Sequence, residues 1–214
     1  MNHRRNLALA ATAAATLMSL TACGSSSSDD TSSAKSDMSS TGSTGASASA
    51  DLVGPGCAAY AKKVPNGAGS VAGMAQSNVA EAASANPLLK TLVAAVSGKV
   101  NPKVNLVSAL DSAQYTVFAP VDDAFAQIPK ATLASLAKPS GAKALSTILE
   151  YHVIKGQIAP TDIDGTHKTL IGQSVKVAGS GDNITVNGAH VICGGVHTAN
   201  ATVYMIDSVL MPKM

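Results

Sequence analysis

The sequence predicts an α+β fold, on three observations. Apolar residues at helical spacing gather in the first half of residues 51–214, strand patterns joined by turn dipeptides dominate the second half, and the two do not alternate as a doubly wound sheet requires. That segment, about 164 of the 214 residues, suits a single domain. A chain of this size buries roughly 70% of its unfolded surface. With no tryptophan, and with Phe118 and Phe125 as the only phenylalanines, its core is aliphatic.

Asn86-Pro87-Leu88 opens the first strong helix: Asn86 is a capping residue, Pro87 suits the first helical position, and Leu88, Leu89, Leu92, Val93 and Val96 share one face before Gly98. Short helices are expected over 105–110 and 130–136. Tyr115-Thr116-Val117-Phe118-Ala119 reads as a strand, rich in branched and aromatic residues. A further helix spans 142–150, with Ala142, Leu145, Ile148 and Leu149 on one side and Ser140-Gly141 as its entry. Tyr151 to Lys155 then reads as a short strand. The last third is a meander: Ser174 to Val177 alternates, residues 179–183 turn, Ile184 to Val186 alternates again, Asn187-Gly188 signals a hairpin, and His190 to Cys193 follows. Gly194-Gly195 is expected to turn the chain into a final strand near 202–210.

Residues 1–50 cannot contribute to a core. Met1 to Arg5 is a basic head and Leu7 to Ala22 is uncharged, an export signal too short to span a bilayer comfortably. It ends in Leu20-Thr21-Ala22-Cys23-Gly24, which resembles the bacterial lipobox. In that motif the cysteine thiol receives a diacylglyceryl group before cleavage, so Cys23 is the expected lipidation site and the membrane contact is through its acyl chains. Several chains anchor stably where one does not. The bland alternative is an ordinary secretory signal with a chance cysteine. Gly24 to Ala50 holds 15 Ser or Thr in 27 residues and no aromatic or branched aliphatic side chain. As a coil it spans about 30 Å, enough to lift a module off a membrane. The expected organisation is therefore signal peptide 1–22, lipidated cysteine and tether 23–50, and folded domain 51–214, at the outer face of the cytoplasmic membrane and the cell surface, with release of a part left open.

Beyond residue 22 the chain has 13 lysines, no arginine, and 13 acidic residues. A neutral chain without a basic run lacks the footprint that holds phosphate backbones, which excludes nucleic acid as a partner. With Cys23 lipidated, two cysteines remain, and in an oxidising compartment Cys57 and Cys193 most simply pair. The rival reading is a metal site, from the ligand-like spacing of His190, Cys193 and His197.

Three stretches resemble the signature of the fasciclin domain. Thr116-Val117-Phe118-Ala119-Pro120-Val121-Asp122-Asp123-Ala124-Phe125 is similar to its first motif, a strand running through Ala-Pro into a helix. Physics agrees: Pro120 stops the strand, Asp122 or Asp123 can cap the helix, and Phe125 faces the core. Leu149-Glu150-Tyr151-His152-Val153-Ile154-Lys155-Gly156 resembles the Tyr-His motif, and residues 198–212, Thr-Ala-Asn-Ala-Thr-Val-Tyr-Met-Ile-Asp-Ser-Val-Leu-Met-Pro, its second conserved region. The resemblance implies short helices packed on a small antiparallel β-sandwich or wedge, and extracellular adhesion without catalysis or cofactor. With the lipobox and the cysteine pair, the sequence resembles the single-domain immunogenic fasciclin surface lipoproteins of mycobacteria and related actinobacteria. Two positions depart from the family. Gly195 aligns with an acidic residue tied to integrin binding in animal members, and Tyr204 stands where histidine is common.

Tyr151 and His152 are the resemblance's adhesion pair. As neighbours on a strand they cannot share a face, so for His152 a buried hydrogen bond is the expected role. Asp207, in an apolar segment, is expected to be a hydrogen-bonded structural carboxylate. Enzyme readings find little. No Gly-x-Ser-x-Gly is present, Gly67-Ala68-Gly69 with Gly73 has the wrong spacing for a dinucleotide loop, and Asp162-Ile163-Asp164-Gly165 has Gln173 where a calcium loop needs glutamate. The expected function is a lipid-anchored surface module, monomeric, that binds an extracellular protein or glycan. A carrier or sensor of a small apolar or metal ligand, and a homophilic structural protein, are the alternatives.

Overall fold

The computed structural model describes residues 51–213, which contain eight short α-helices and seven strands. Helices α1 (Cys57–Lys63), α2 (Val71–Met74), α3 (Val79–Ala85), α4 (Lys90–Val96) and α5 (Val107–Asp111) precede strand β1 (Tyr115–Pro120). Helices α6 (Asp122–Ala126), α7 (Lys130–Ala137) and α8 (Ala142–Tyr151) lead to β2 (Val153–Lys155). The meander β3 (Gly165–Lys168), β4 (Ser174–Ala178), β5 (Thr185–Val186), β6 (Ala189–His197) and β7 (Ala201–Ile206) completes the domain.

The strands lie in the order β2-β1-β7-β6-β5-β4-β3. Every neighbouring pair is antiparallel except β1 and β7, which run parallel from Tyr115 opposite Ala201 to Pro120 opposite Ile206. The sheet is thus mixed, where an antiparallel one was expected. Its ends meet: Ile154 bridges Thr169, and the Leu170 amide donates to the Val153 carbonyl at 2.9 Å. The curled sheet encloses one core, with Phe118, Tyr151, Ile163, Val175, Val186 and Tyr204 in it. The helices cover its outer face over a second, which includes Leu89, Leu92, Val117, Leu145 and Met205. β1 and β7 pass between the two and are buried at every position, which is why both read as continuous rather than alternating runs.

Three expected elements change. Tyr151 ends α8 and His152 caps it, so neither lies on a strand and β2 begins at Val153. Helix α4 starts at Lys90 rather than Pro87, because the Asn86 side-chain oxygen accepts from the Leu88 amide at 3.0 Å and closes a separate turn. Gly194-Gly195 is not a turn. It lies inside β6, where the β6–β7 register shifts twice and the strand bends. The reversal comes at residues 198–200, where the Ala201 amide donates to Thr198 Oγ1 at 2.9 Å.

Asp122 does not cap its own helix. Its Oδ1 accepts from the Thr91 amide at 2.8 Å, in the first turn of α4, and so ties the first motif to the helical layer. Asp122→Ala should therefore cost about 1 kcal/mol, the usual worth of a cap. Urea unfolding of the two proteins measures it, and an unchanged midpoint would contradict the role.

Candidate functional site

Tyr151 and His152 are consecutive at the end of α8 but serve different layers. Tyr151 reaches into the curl of the sheet, where its hydroxyl donates to the Ser174 carbonyl at 3.1 Å and accepts from Asn187 Nδ2 at 2.9 Å. Asn187 is held by the hairpin it makes with Gly188, both at positive φ, 49° and 92°. His152 turns to the helical side and is 3% exposed. Its Nδ1–H donates to the Ile148 carbonyl at 2.7 Å, satisfying an orphan acceptor of the helix end, and its Nε2 accepts from the Leu210 amide at 2.9 Å. Both ring nitrogens are engaged only if the ring is neutral. Burial accordingly lowers its pKa from 6.5 to about 4, the bond to Ile148 opposing in part.

Asp207 holds the same C-terminal segment as His152. Its Oδ1 accepts from the His190 amide at 2.9 Å, its amide donates to the His190 carbonyl at 3.0 Å, and its carbonyl accepts from Gln127 Nε2 at 2.9 Å. A joint that sequence reading missed is Asn200 in the third motif stretch. Its Oδ1 accepts from the Val79 amide at 2.9 Å, and its Nδ2 donates to the carbonyls of Leu110 at 2.8 Å and Ala113 at 3.1 Å. The available signal was the residue type, since asparagine beside a strand end is a common turn and capping residue.

Cys57 and Cys193 are disulfide-bonded, with Cα atoms 4.8 Å apart. The bond engages the sulfur that the His190, Cys193 and His197 reading needed, which overturns that metal site. His197 instead faces Asp51, Nε2 to Oδ2 at 3.2 Å. Around the disulfide the entering chain docks on β6: the Val53 amide donates to the Gly194 carbonyl at 3.1 Å, the Gly194 amide to the Val53 carbonyl at 2.7 Å, and the Gly56 amide to the Ile192 carbonyl at 2.8 Å. Cys23 and the boundaries at residues 22 and 50 lie outside the described residues.

The two departures from the family pattern have distinct physical settings. Tyr204 is fully buried, packs on Phe118 at a ring-centroid distance of 5.9 Å, and donates to the Ile158 carbonyl at 2.9 Å. Burial pushes its phenol pKa up, with the Asp162 and Asp51 charges adding to the effect. Gly195 sits at φ 71°, and a Cβ there would meet the Asp51 carbonyl oxygen and lie 2.8 Å from Pro160 Cγ. An acidic side chain at this position is sterically opposed. Gly195→Asp should cost about 2 kcal/mol from backbone strain and overpacking together. Thermal unfolding checks this, and a melting temperature equal to the parent would contradict it.

Beside these joints lie two apolar cavities in the helical layer, of about 120 Å³ and 340 Å³, both bordered by Leu149 and His152. Pro120, Phe125 and Ile148 line the larger, and Leu92, Val117 and Val203 the smaller.

Comparison with known proteins places the chain among relatives. The family model of the Fasciclin domain matches residues 87–212. The cell surface glycolipoprotein MPB83 of Mycobacterium bovis is 60% identical over 163 residues, covering 76% of this chain and 73% of that protein. The immunogenic protein MPB70 of the same species is 56% identical over 165 residues, 77% of this chain and 84% of that one. Among solved structures, a FAS1 domain pair from the insect cell adhesion molecule fasciclin I aligns with a TM-score of 0.48 and 18% identity, over 65% of this chain and 52% of that one.

Proposed function

Because the chain belongs to the fasciclin domain family, we propose that it is a cell-surface module, anchored by acyl chains on Cys23, that binds an extracellular protein or glycan in an adhesive or host-interaction role. It acts as a monomer, and as a binding protein rather than an enzyme. The observation that carries this reading is the inward use of the signature residues. Asp122, Tyr151, His152, Asn200 and Asp207 are all engaged in internal joints between helices, sheet and C-terminal segment. The motifs build a rigid body, and partner choice then belongs to surface side chains that the fold leaves free. The names of the relatives, a cell surface glycolipoprotein and an immunogenic protein, support display outside the cell.

The point of entry suits a load-bearing tether. Residues 53–56 pair with β6, and the disulfide six residues after Asp51 joins the same strand, which is the central one of the seven. A pull through the tether therefore reaches the middle of the sheet rather than a peripheral helix. Adhesion of whole cells tests the proposal. Cells carrying the chain should adhere to surfaces coated with matrix protein or host glycan, and Cys23→Ala should empty their membrane fraction of the protein and abolish the gain. Undiminished membrane retention in Cys23→Ala would sink the anchor; adhesion equal to cells lacking the chain would sink the role.

A further inference from the structure

The larger cavity shares Thr91, Ile148 and His152 with the joints above, and the rest of its wall takes no part in them. It lies among α4, α6, α7, α8 and the chain after β7, and its wall includes Phe125, Ile128, Leu133, Leu145, Ile148 and Met211. Protein interiors close-pack and leave few voids larger than a water molecule. Space of about 340 Å³ amid apolar side chains is instead the character of a ligand site. The one imidazole on the wall, His152, has both nitrogens engaged, so it offers an incoming polar group nothing. Among the described residues, Met211 of this wall is the large apolar side chain left exposed, at 51%.

Charge supplies the complement to that apolar wall. Exposed lysines are the chain neighbours of wall residues at three places: Lys90 precedes Thr91, Lys99 precedes Val100, and Lys138 follows Ala137. Asn101 draws the last two regions together, its Nδ2 donating to the carbonyls of Leu136 at 2.9 Å and Lys138 at 2.7 Å. On the acidic side, the Asp122 carboxylate is engaged with the Thr91 amide, Asp123 is exposed on α6, and Glu150 borders the smaller cavity.

We propose that this cavity binds the alkyl chain of a free, single-chain anionic amphiphile, a fatty acid of medium length, with its carboxylate at the lysine-bearing rim. A peptide or sugar would bring polar groups that the wall cannot pair. A neutral hydrocarbon would leave the lysines unused. At about 30 Å³ for a water-sized group, the space accepts about ten methylenes.

The test uses the exported chain, residues 23–214, with Cys23→Ser so that no attached acyl group competes, titrated calorimetrically with dodecanoate and with dodecanol. Saturable one-site binding of dodecanoate with a negative heat-capacity change is expected. Ala134→Phe, entering from the exposed wall, should weaken it by about tenfold or more. The pair Lys99→Glu and Lys138→Glu, which leaves the core untouched, should weaken dodecanoate by about threefold and spare dodecanol. Ala109→Phe, in the smaller cavity, should change nothing. No saturable binding, dodecanol bound as tightly as dodecanoate, or loss on Ala109→Phe in place of Ala134→Phe would each overturn the proposal. Melting temperatures without ligand confirm that each variant is folded, and the lysine pair keeps the test decisive if Ala134→Phe is not.

Discussion

Removing the Cys57–Cys193 bond, by reduction or by the double substitution Cys57→Ser and Cys193→Ser, should lower stability by about 5 kcal/mol, the largest single effect expected in this domain. The bond spans a sequence separation of 136 residues and so restricts the unfolded chain over nearly the whole domain. Loop-closure entropy grows with the logarithm of that length. The folded state adds its own part: Cys193 is fully buried in β6, and Cys57 starts the helix that packs beside it. Loss of the staple frees the entering segment to peel from Gly194 and Ile192. Guanidinium unfolding with and without reductant measures the effect, and a difference below about 1 kcal/mol would show that the fold closes without it.

The second large effect belongs to His152. His152→Ala should cost about 3 to 5 kcal/mol, since it strands a helix-end carbonyl at Ile148 and an amide at Leu210 and adds space to both cavities. The same residue gives the fold a pH dependence of known sign. Its pKa is about 4 when folded against 6.5 for the free side chain, so above pH 6.5 both states are neutral and its contribution is complete. As pH falls from 6.5 to 4 the unfolded chain takes up a proton that the folded chain refuses, and stability falls by at most about 1.4 kcal/mol per unit, or about 3 kcal/mol in all. Below pH 4 the folded ring protonates too and the loss levels off. His152→Gln should be less stable at pH 7 yet show a shallower slope between pH 6.5 and 4. An identical slope in the two proteins would contradict the assignment, whatever the carboxylates contribute to both.

Much of the fold is legible in the residues, for local reasons. β1, α7 and α8 lie within a residue or two of their expected bounds, because branched runs and helical spacing leave little choice there. The Asn187-Gly188 hairpin forms because those two residues tolerate positive φ. Other elements leave weak traces. α1, with sequence CAAYAKK, buries only Cys57 and Tyr60, too few positions for a recognisable stripe. β3, with sequence GTHK, is a polar strand at the end of the sheet that buries none of its residues. The parallel pairing of β1 with β7 joins segments far apart in the chain, which no local pattern encodes.

The candidate site divides in the same way. The three motif stretches contain the residues that form these joints, but their residue types did not reveal what each side chain would hold. Asp122 caps a neighbouring helix instead of its own, Asn200 joins a turn to α3 and α5, and His152 reaches a segment 58 residues away. Such bonds depend on packing between distant elements. The cavities are less legible still, since Phe125, Leu145 and Met211 look like ordinary core residues until the helices are seen to leave space between them.

Direct binding by residues 23–214 tests the proposed surface-binding role most plainly. Oxidised and reduced forms would be applied side by side to an array of extracellular matrix proteins, cell-surface receptors and glycans. A saturable partner for the oxidised protein that is lost on reduction is the result the proposal predicts, because the proposed binding surface belongs to a fold that the Cys57–Cys193 bond staples. A blank array, or binding indifferent to reduction, would contradict a fold-dependent surface binding module.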